Sequence, residues 1–217
     1  MRGAPTMLFA LSMFSIGLGA CGPRPPEIPV SLPPEAVKQI ADDLRPWVDA
    51  DKLPRAERRS FLQFCRFLAI RRTLDDEMRT RGMTEETAKG ISLPLVEYLV
   101  QQGKPIEDVL LRLLEARKGL SQQERQKTLC NEDPEVYAAV ILWRLQSARA
   151  VPVFMELAQD KALQDRGAFI YGLGKLGDSK TLDLLKEIAA KETAPGIRDE
   201  ATTAIRQIEQ RMAAEKK

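Results

Sequence analysis

Residues 166–185 read RGAFIYGLGKLGDSKTLDLL, and this stretch decides the fold. Apolar residues recur every three or four positions on both sides of Gly177-Asp178, which is the spacing of an amphipathic helix. Gly ends helices and Asp caps them, so the pair marks a turn. The stretch therefore predicts two consecutive helices, 164–176 and 179–191, joined by a tight turn.

The apolar pattern of these helices recurs along the C-terminal third of the chain. One helix type repeats Val151, Phe154, Leu157 and Ala158 as Leu182, Leu185, Ile188 and Ala189, at an offset of 31 residues. The other repeats Ala138, Ile141, Leu142 and Leu145 at offsets of 31 and then 32, as Phe169, Gly172, Leu173 and Leu176 and as Ala201, Ala204, Ile205 and Ile208. A hairpin this short cannot bury its apolar stripe alone, so neighbouring hairpins must stack. The repeat predicts a solenoid of helical hairpins.

The pattern resembles the short HEAT-like repeat, also called the phycobilisome-lyase type, over residues 134–213. In that family an Arg opens the second helix of each hairpin, and Leu-Gly-Asp turns the chain. Arg166 and Arg198 stand at the Arg position, and Gly177-Asp178 stands at the turn. The Gly-Asp turn is missing at 207–209, which is consistent with a terminal repeat. The resemblance implies an all-α array of stacked hairpins.

The chain upstream and downstream of this stretch also predicts helices and no strands. Further helices are expected at 34–50, 54–81, 93–102, 105–118, 121–130, 134–146, 149–159 and 197–213. The predicted fold class is therefore all-α. We divide the folded part into a helical region at 35–130, HEAT-like repeats at 131–213 and a polar tail at 214–217. The first region is either unassigned or composed of degenerate repeats.

The N-terminus has the features of an export signal. Arg2 precedes an uncharged, mostly apolar run at 7–20, which is shorter than the roughly 20 residues needed to span a bilayer. Residues 18–21 read LGAC and resemble the lipobox of bacterial lipoproteins, in which a diacylglyceryl group is attached to the Cys before cleavage. An ordinary signal peptidase site is the alternative, but it prefers a small residue where Leu18 stands. We predict a signal peptide at 1–20 and a lipidated Cys21.

Residues 21–34 predict a Pro-rich linker after the lipidated Cys. Six prolines between Gly22 and Pro34 favour extended polyproline conformation, which would place the folded part on the order of 40 Å from the lipid. Gly22 after the lipidated Cys resembles the pattern of outer-membrane lipoproteins. We expect a lipid-anchored protein of the bacterial cell envelope that faces the periplasm, with the outer membrane favoured over the inner in a Gram-negative cell.

The composition excludes several classes of function. The 217 residues include 33 Lys and Arg and 31 Asp and Glu, so the net charge of +2 gives no general field for holding nucleic acid or an anionic membrane surface, and any electrostatic recognition must be local. The chain has no His, which is the commonest general base near neutral pH and a frequent zinc ligand. Serine triads that rely on His are excluded. We expect a non-catalytic protein without metal or cofactor.

Residues 172–177 read GLGKLG, which spells the dinucleotide-binding fingerprint. That fingerprint works only between a strand and the start of a helix, where backbone amides face the pyrophosphate. Here the glycines end a predicted helix. Close packing of helices is therefore the favoured interpretation, and phosphate binding is the alternative.

The remaining cysteines, Cys65 and Cys130, could form a disulfide in an oxidising envelope. Cys65 also lies on an apolar helix face with Phe61, Phe64 and Leu68, as a small core residue would. The sequence gives no distance between the two thiols, so both interpretations stay open.

The helix predicted at 54–81 is rich in arginine. Its eight arginines are at positions 55, 58, 59, 66, 71, 72, 79 and 81. They could face an anionic polymer or lipid of the envelope. The alternative is a solvated helix face balanced by Glu57 and the acidic residues at 75–77.

The repeat register predicts a binding surface. Arg144, Lys175 and Gln207 occupy equivalent positions opposite the buried stripe, and Tyr171 lies one turn before Lys175. Solenoids recognise partners through the surface formed by one helix of each hairpin, and an aromatic beside a cation suits a contact. We predict that Arg144, Tyr171 and Lys175 bind a partner; the alternative is an ordinary solvated face.

Anchor, linker and repeats together favour a non-catalytic scaffold or adaptor that binds another envelope protein. An accessory lyase or chromophore-handling protein is suggested only by the other name of the repeat family. A structural lipoprotein that contacts peptidoglycan through the arginine-rich helix is a third hypothesis.

Overall fold

The computed structural model describes Pro26 and residues 32–126, 134–163 and 165–215. The predicted signal peptide, the lipidation site Cys21, most of the linker and Cys130 lie outside these ranges. The predictions made for those residues therefore stay predictions.

The described residues form ten α-helices and contain no strand, which confirms the all-α fold class. The helices are α1 (Pro34–Leu44), α2 (Arg55–Arg81), α3 (Glu85–Val100), α4 (Lys104–Arg117), α5 (Gln122–Gln126), α6 (Pro134–Arg144), α7 (Val151–Gln159), α8 (Gly167–Leu176), α9 (Ser179–Lys191) and α10 (Pro195–Glu215). Short 3-10 turns at Ala50–Lys52 and Ala148–Ala150 precede α2 and α7. These helices correspond one to one to those predicted from the sequence.

The described helices stack as a solenoid of four hairpins. Each hairpin pairs a first helix with a second helix, as α2 with α3, α4 with α6, α7 with α8 and α9 with α10. Successive first helices contact one another, and so do successive second helices. The first helices therefore form one layer and the second helices form the other. The stacking includes α2, α3 and α4, which the sequence repeat did not cover, while α1 packs on α2 and α5 lies within the second hairpin.

Two predicted helix boundaries are wrong for local reasons. Helix α3 begins at Glu85 instead of residue 93, because the Thr84 hydroxyl accepts a hydrogen bond from the Thr87 N–H at 3.2 Å and caps the helix. Helix α1 ends at Leu44 instead of residue 50, because Pro46 has no N–H to continue the helical hydrogen bonds. Both signals were present in the sequence.

Glycines in α8 allow this helix to pack closely against its partner α7 and against the neighbouring second helix α10. A Cβ atom at Gly172 would lie 2.6 Å from the ring of Phe154 in α7, and one at Gly174 would lie 2.9 Å from the Cα of Ala204 in α10. Both glycines lie inside the helix, and no strand precedes them in the described residues. The GLGKLG motif therefore serves helix packing, and the geometry required for dinucleotide binding is not present.

An ion pair joins the last two hairpins. The Arg166 guanidinium, at the start of α8, donates to the carboxylate of Glu192 in the loop between α9 and α10. The other carboxylate oxygen of Glu192 accepts hydrogen bonds from the N–H groups of Ala194 and Thr193 at 3.1 and 2.9 Å. The Ala194 N–H and the Arg166 charge hold the pKa of Glu192 below its ordinary value. Arg198, the equivalent of Arg166 in α10, is exposed because no further described hairpin follows it.

The preceding junction is joined by a buried ionic network at equivalent positions. Glu135 stands 31 residues before Arg166, and Asp160 stands 32 residues before Glu192. Arg125 bridges these two carboxylates at 2.7 and 2.8 Å. The Glu135 carboxylate also accepts a hydrogen bond from Arg117 Nε at 2.6 Å, and both of these side chains are fully buried. Ionic contacts therefore connect the loops after α7 and α9 to the start of the preceding second helix, α6 and α8 respectively.

Candidate functional site

The layer of second helices presents a row of aromatic and cationic side chains. Trp143 and Tyr171, on the neighbouring helices α6 and α8, meet edge to face with ring centroids 5.6 Å apart. Both rings are half-buried, so each packs against its neighbour and keeps one side open to solvent. This aromatic pair forms the centre of the row.

Cations flank the aromatic pair on both sides. The Lys175 Nζ lies 5.0 Å from the centroid of the Tyr171 ring, and the Arg144 guanidinium carbon lies 5.7 Å from the centroid of the Trp143 ring. These distances allow cation–π attraction. Arg144 also forms an ion pair with Glu97 on α3, which extends the row to the first hairpin. We call Trp143, Arg144, Tyr171 and Lys175 the second-helix row.

The structure brings together the three residues predicted to bind a partner, since Arg144, Tyr171 and Lys175 are all part of this row. Their role in binding stays a prediction. Sequence reasoning missed Trp143, which lies one turn beyond the position equivalent to Tyr171. Side chains on a helix point back towards its N-terminus, so a residue one turn further along can still reach the neighbouring helix. This rule would have predicted that Trp143 can contact Tyr171 on the neighbouring helix.

A groove of about 390 Å³ opens at the end of the row where Lys175 lies. Its described lining contains cations, amides and one methyl group but no acidic side chain: Gln146, Lys175, Gln207, Gln210, Arg211 and Ala214. The groove therefore offers hydrogen-bond donors and positive charge in the same place.

Arg211 holds the floor of this groove in position. Its guanidinium donates to the carbonyl oxygens of Gly174 and Gly177 at the end of α8, the second at 2.5 Å. These are carbonyls that the helix itself leaves without a partner, and a cation at a helix C-terminus is favoured by the helix dipole. The side-chain oxygen of Gln207 is buried and has no hydrogen-bond partner in the described structure.

The arrangement is suited to binding and offers no recognisable acid-base pair. Half-buried aromatic rings beside cations and amides complement a surface that combines acidic groups with apolar or aromatic side chains. Within the described residues, no group of three or more His, Cys, Asp or Glu side chains could hold a metal ion. In the same part of the chain, no helix combines the length and the apolar character needed to cross a membrane.

Cys65 is fully buried in α2, and the neighbouring Phe61, Phe64 and Leu68 are buried with it. This is the environment expected for a small core residue. The other cysteine of the predicted disulfide, Cys130, lies outside the described residues. The pairing of the two therefore stays a prediction.

Comparison with known proteins bears on the C-terminal half of the chain. No curated protein and no solved structure matches the chain. A family model does match, over residues 126–206, and its description is HEAT repeats. HEAT repeats generally mediate binding between proteins. Residues 126–206, which include helices α6 to α9 and most of α10, therefore carry HEAT-like repeats.

Proposed function

We propose that this chain is a lipid-anchored protein of the bacterial cell envelope that binds another protein through the second-helix row. The observation that supports the proposal is the aromatic pair of Trp143 and Tyr171 with a cation at each end. This pair lies on the layer of second helices of a HEAT-like solenoid. The role is that of a non-catalytic scaffold or adaptor. We also propose that the repeats are of the phycobilisome-lyase type, a likeness that concerns only how their helices pack.

The chemistry of the row indicates what the partner presents. Lys175 makes no ion pair with any described carboxylate, and the adjoining groove contains a second cation, Arg211. The aromatic rings offer flat apolar surface at little cost in side-chain entropy. We expect a partner surface that places an acidic group beside an apolar or aromatic side chain.

The anchor is tested by replacing Cys21 with Ser. We expect the native protein to begin at Cys21, to carry acyl mass and to partition into detergent, because the diacylglyceryl group would be attached to the thiol of Cys21. The variant should lose the acyl mass and enter the aqueous phase. Intact-mass spectrometry and detergent partitioning measure both. Cys65→Ala is the matched control and should behave as the native protein; an unmodified native chain in the aqueous phase would contradict the anchor.

The binding surface is tested by the double variant Tyr171→Ala, Lys175→Ala. Loss of a central aromatic contact typically costs about 2 kcal/mol or more, so the dissociation constant for the partner should rise by at least about 30-fold. Calorimetry with the purified partner measures it, after circular dichroism has verified that the variant is folded. Lys186→Ala, on the exposed side of the first helix α9, is the control and should bind as the native chain does. Equal affinities for the two variants would refute the assignment of the surface.

A further inference from the structure

Helix α2 carries a narrow basic stripe on the side that faces away from the core. Arg55, Arg59, Leu62 and Arg66 lie within about 60° of one another around the helix axis, at about 100° per residue. Leu62 is 43% exposed, and Leu93 is the other large apolar side chain with comparable exposure in the described residues. We call Arg55, Arg59, Leu62 and Arg66 the arginine stripe.

The arginine stripe lies in the half of α2 where arginines most outnumber acidic residues. Arg71 pairs with Asp75 at 3.3 Å, Arg81 pairs with Glu77 at 3.0 Å, and Arg58 donates to backbone carbonyl oxygens. Within the described structure, no carboxylate pairs with the three arginines of the stripe. The C-terminal half of α2 has four arginines and three acidic residues, whereas the N-terminal half has four arginines and one acidic residue, so the larger excess of positive charge surrounds the exposed leucine.

The described chain emerges on the same side of α2 as the stripe. Pro33 and Ala36, at the start of α1, line a groove with Ala69 and Thr73 of α2. Thr73 is seven residues beyond Arg66, so it lies about 10 Å further along the axis and on nearly the same angular line. The linker predicted at 21–34 ends at this point. The stripe is therefore close to the place where a lipid tether would leave the folded part. The linker of about 40 Å sets the distance from the lipidated Cys but not its direction, so it can run along the membrane surface while the stripe lies on that surface.

We propose that the arginine stripe lies on the anionic phospholipid surface of the membrane that anchors the chain. This inference rests on the anchor in the proposed function. Guanidinium groups bind phosphate in a bidentate manner, and an exposed leucine among them can enter the apolar boundary of the headgroup layer. Each arginine near an anionic bilayer strengthens binding by about fivefold. The exposed side chain of Leu62 indicates a bilayer as the partner and not peptidoglycan, because a polymer of sugars and peptides has no continuous apolar layer for the side chain to enter.

The contact would fix the orientation of the solenoid. The stripe is on α2, which belongs to the layer of first helices, and the second-helix row is on the other layer. A chain that rests on the stripe keeps Tyr171 and Lys175 accessible to a partner in the periplasm. The two surfaces therefore have separate tasks and can be tested separately.

The test uses the full chain reconstituted in vesicles. Each protein carries one fluorescent label, and quenching of that label measures contact with lipid. A fluorescent amino acid replaces Leu62 in one protein and Leu93, of similar exposure but on α3, in the other. The vesicles contain either phosphatidylcholine alone or phosphatidylcholine with phosphatidylglycerol, together with a quencher attached to the lipid headgroup. Flotation measures anchoring independently. We expect quenching at position 62 in the anionic vesicles and little at position 93.

The charge variant makes the result specific. Replacing the three arginines by glutamine (R55Q, R59Q, R66Q) should lower the contact equilibrium by about a hundredfold and remove the quenching at position 62, while flotation is unchanged. A chain that floats but is not quenched overturns the stripe and leaves the anchor intact. Binding to purified peptidoglycan that the triple variant loses, without quenching by lipid, would assign the stripe to the cell-wall polymer and overturn the lipid assignment. A chain that does not float contradicts the anchor and this inference together.

Discussion

Replacing Glu135 with Gln is expected to lower the free energy of unfolding by about 3–5 kcal/mol. One carboxylate oxygen of Glu135 accepts hydrogen bonds from Arg117 and Arg125 at 2.6 and 2.7 Å, and all three side chains are almost completely excluded from water. Gln keeps the shape of Glu but removes the negative charge, so Arg117 would remain buried without a counter-charge. Urea unfolding followed by circular dichroism measures the change.

The matched control is Glu187→Gln, which removes a carboxylate from the surface ion pair with Lys191. Both of those side chains are more than half exposed, so water replaces the lost interaction and stability should hardly change. If the two variants were equally stable, the buried network would not hold the second and third hairpins together. Hydrogen exchange would add a local readout, because the loss should be largest where α4, α6 and α7 meet.

Replacing Phe154 with Ala is expected to lower the free energy of unfolding by about 3–5 kcal/mol. The Phe154 ring is fully buried, contacts Phe169 edge to face at 5.5 Å between centroids, and fills the space that Gly172 leaves open. Gly172→Ala alone should also destabilise the protein, because its Cβ would lie 2.6 Å from that ring. Thermal and urea unfolding of the variants measure both effects.

The double variant Phe154→Ala, Gly172→Ala tests the close contact itself. Once the ring is gone, the new methyl group enters the cavity, so the double variant should be more stable than the sum of the single losses by about 1–3 kcal/mol. Gly90→Ala is the control, since no atom lies within 4 Å of its Cβ position and an exposed helical glycine gains about 1 kcal/mol on replacement by alanine. Strict additivity of the two losses would refute the packing role assigned to the glycines.

The helices and the stacked C-terminal hairpins could be predicted because both depend on local periodicity. Phe169, Leu173 and Leu176 recur at helical spacing, and the same spacing returns one repeat later. The first hairpin and helix α4 could not be recognised in this way. Helix α2 has 27 residues against 9 in α7, and α5 is inserted between α4 and α6, so no constant offset relates α2, α3 and α4 to the later repeats. Only their contacts show the common arrangement.

The candidate site was predictable where it follows the repeat register and hidden where it depends on long-range contacts. Tyr171 and Lys175 lie one turn apart on one helix, so the sequence places them together. Arg211 donates to the carbonyl oxygen of Gly177 at the end of α8, 34 residues earlier in the chain. The sequence around Arg211 gives no sign of that contact. Glu97 is on α3, outside the recognised repeats. The reversal of charge between Glu135 and Arg166 at equivalent positions was a visible signal of the ionic junctions.

The most direct measurement of the central claim is site-specific photo-cross-linking in intact cells. A photoreactive amino acid replaces Tyr171 in the second-helix row or Lys186 on the first helix α9, and the adducts are identified by mass spectrometry. The account predicts a cross-link from position 171 to one envelope protein, which the substitution Lys175→Glu abolishes, and no such adduct from position 186. A partner captured equally from both positions, or none from position 171, would contradict it.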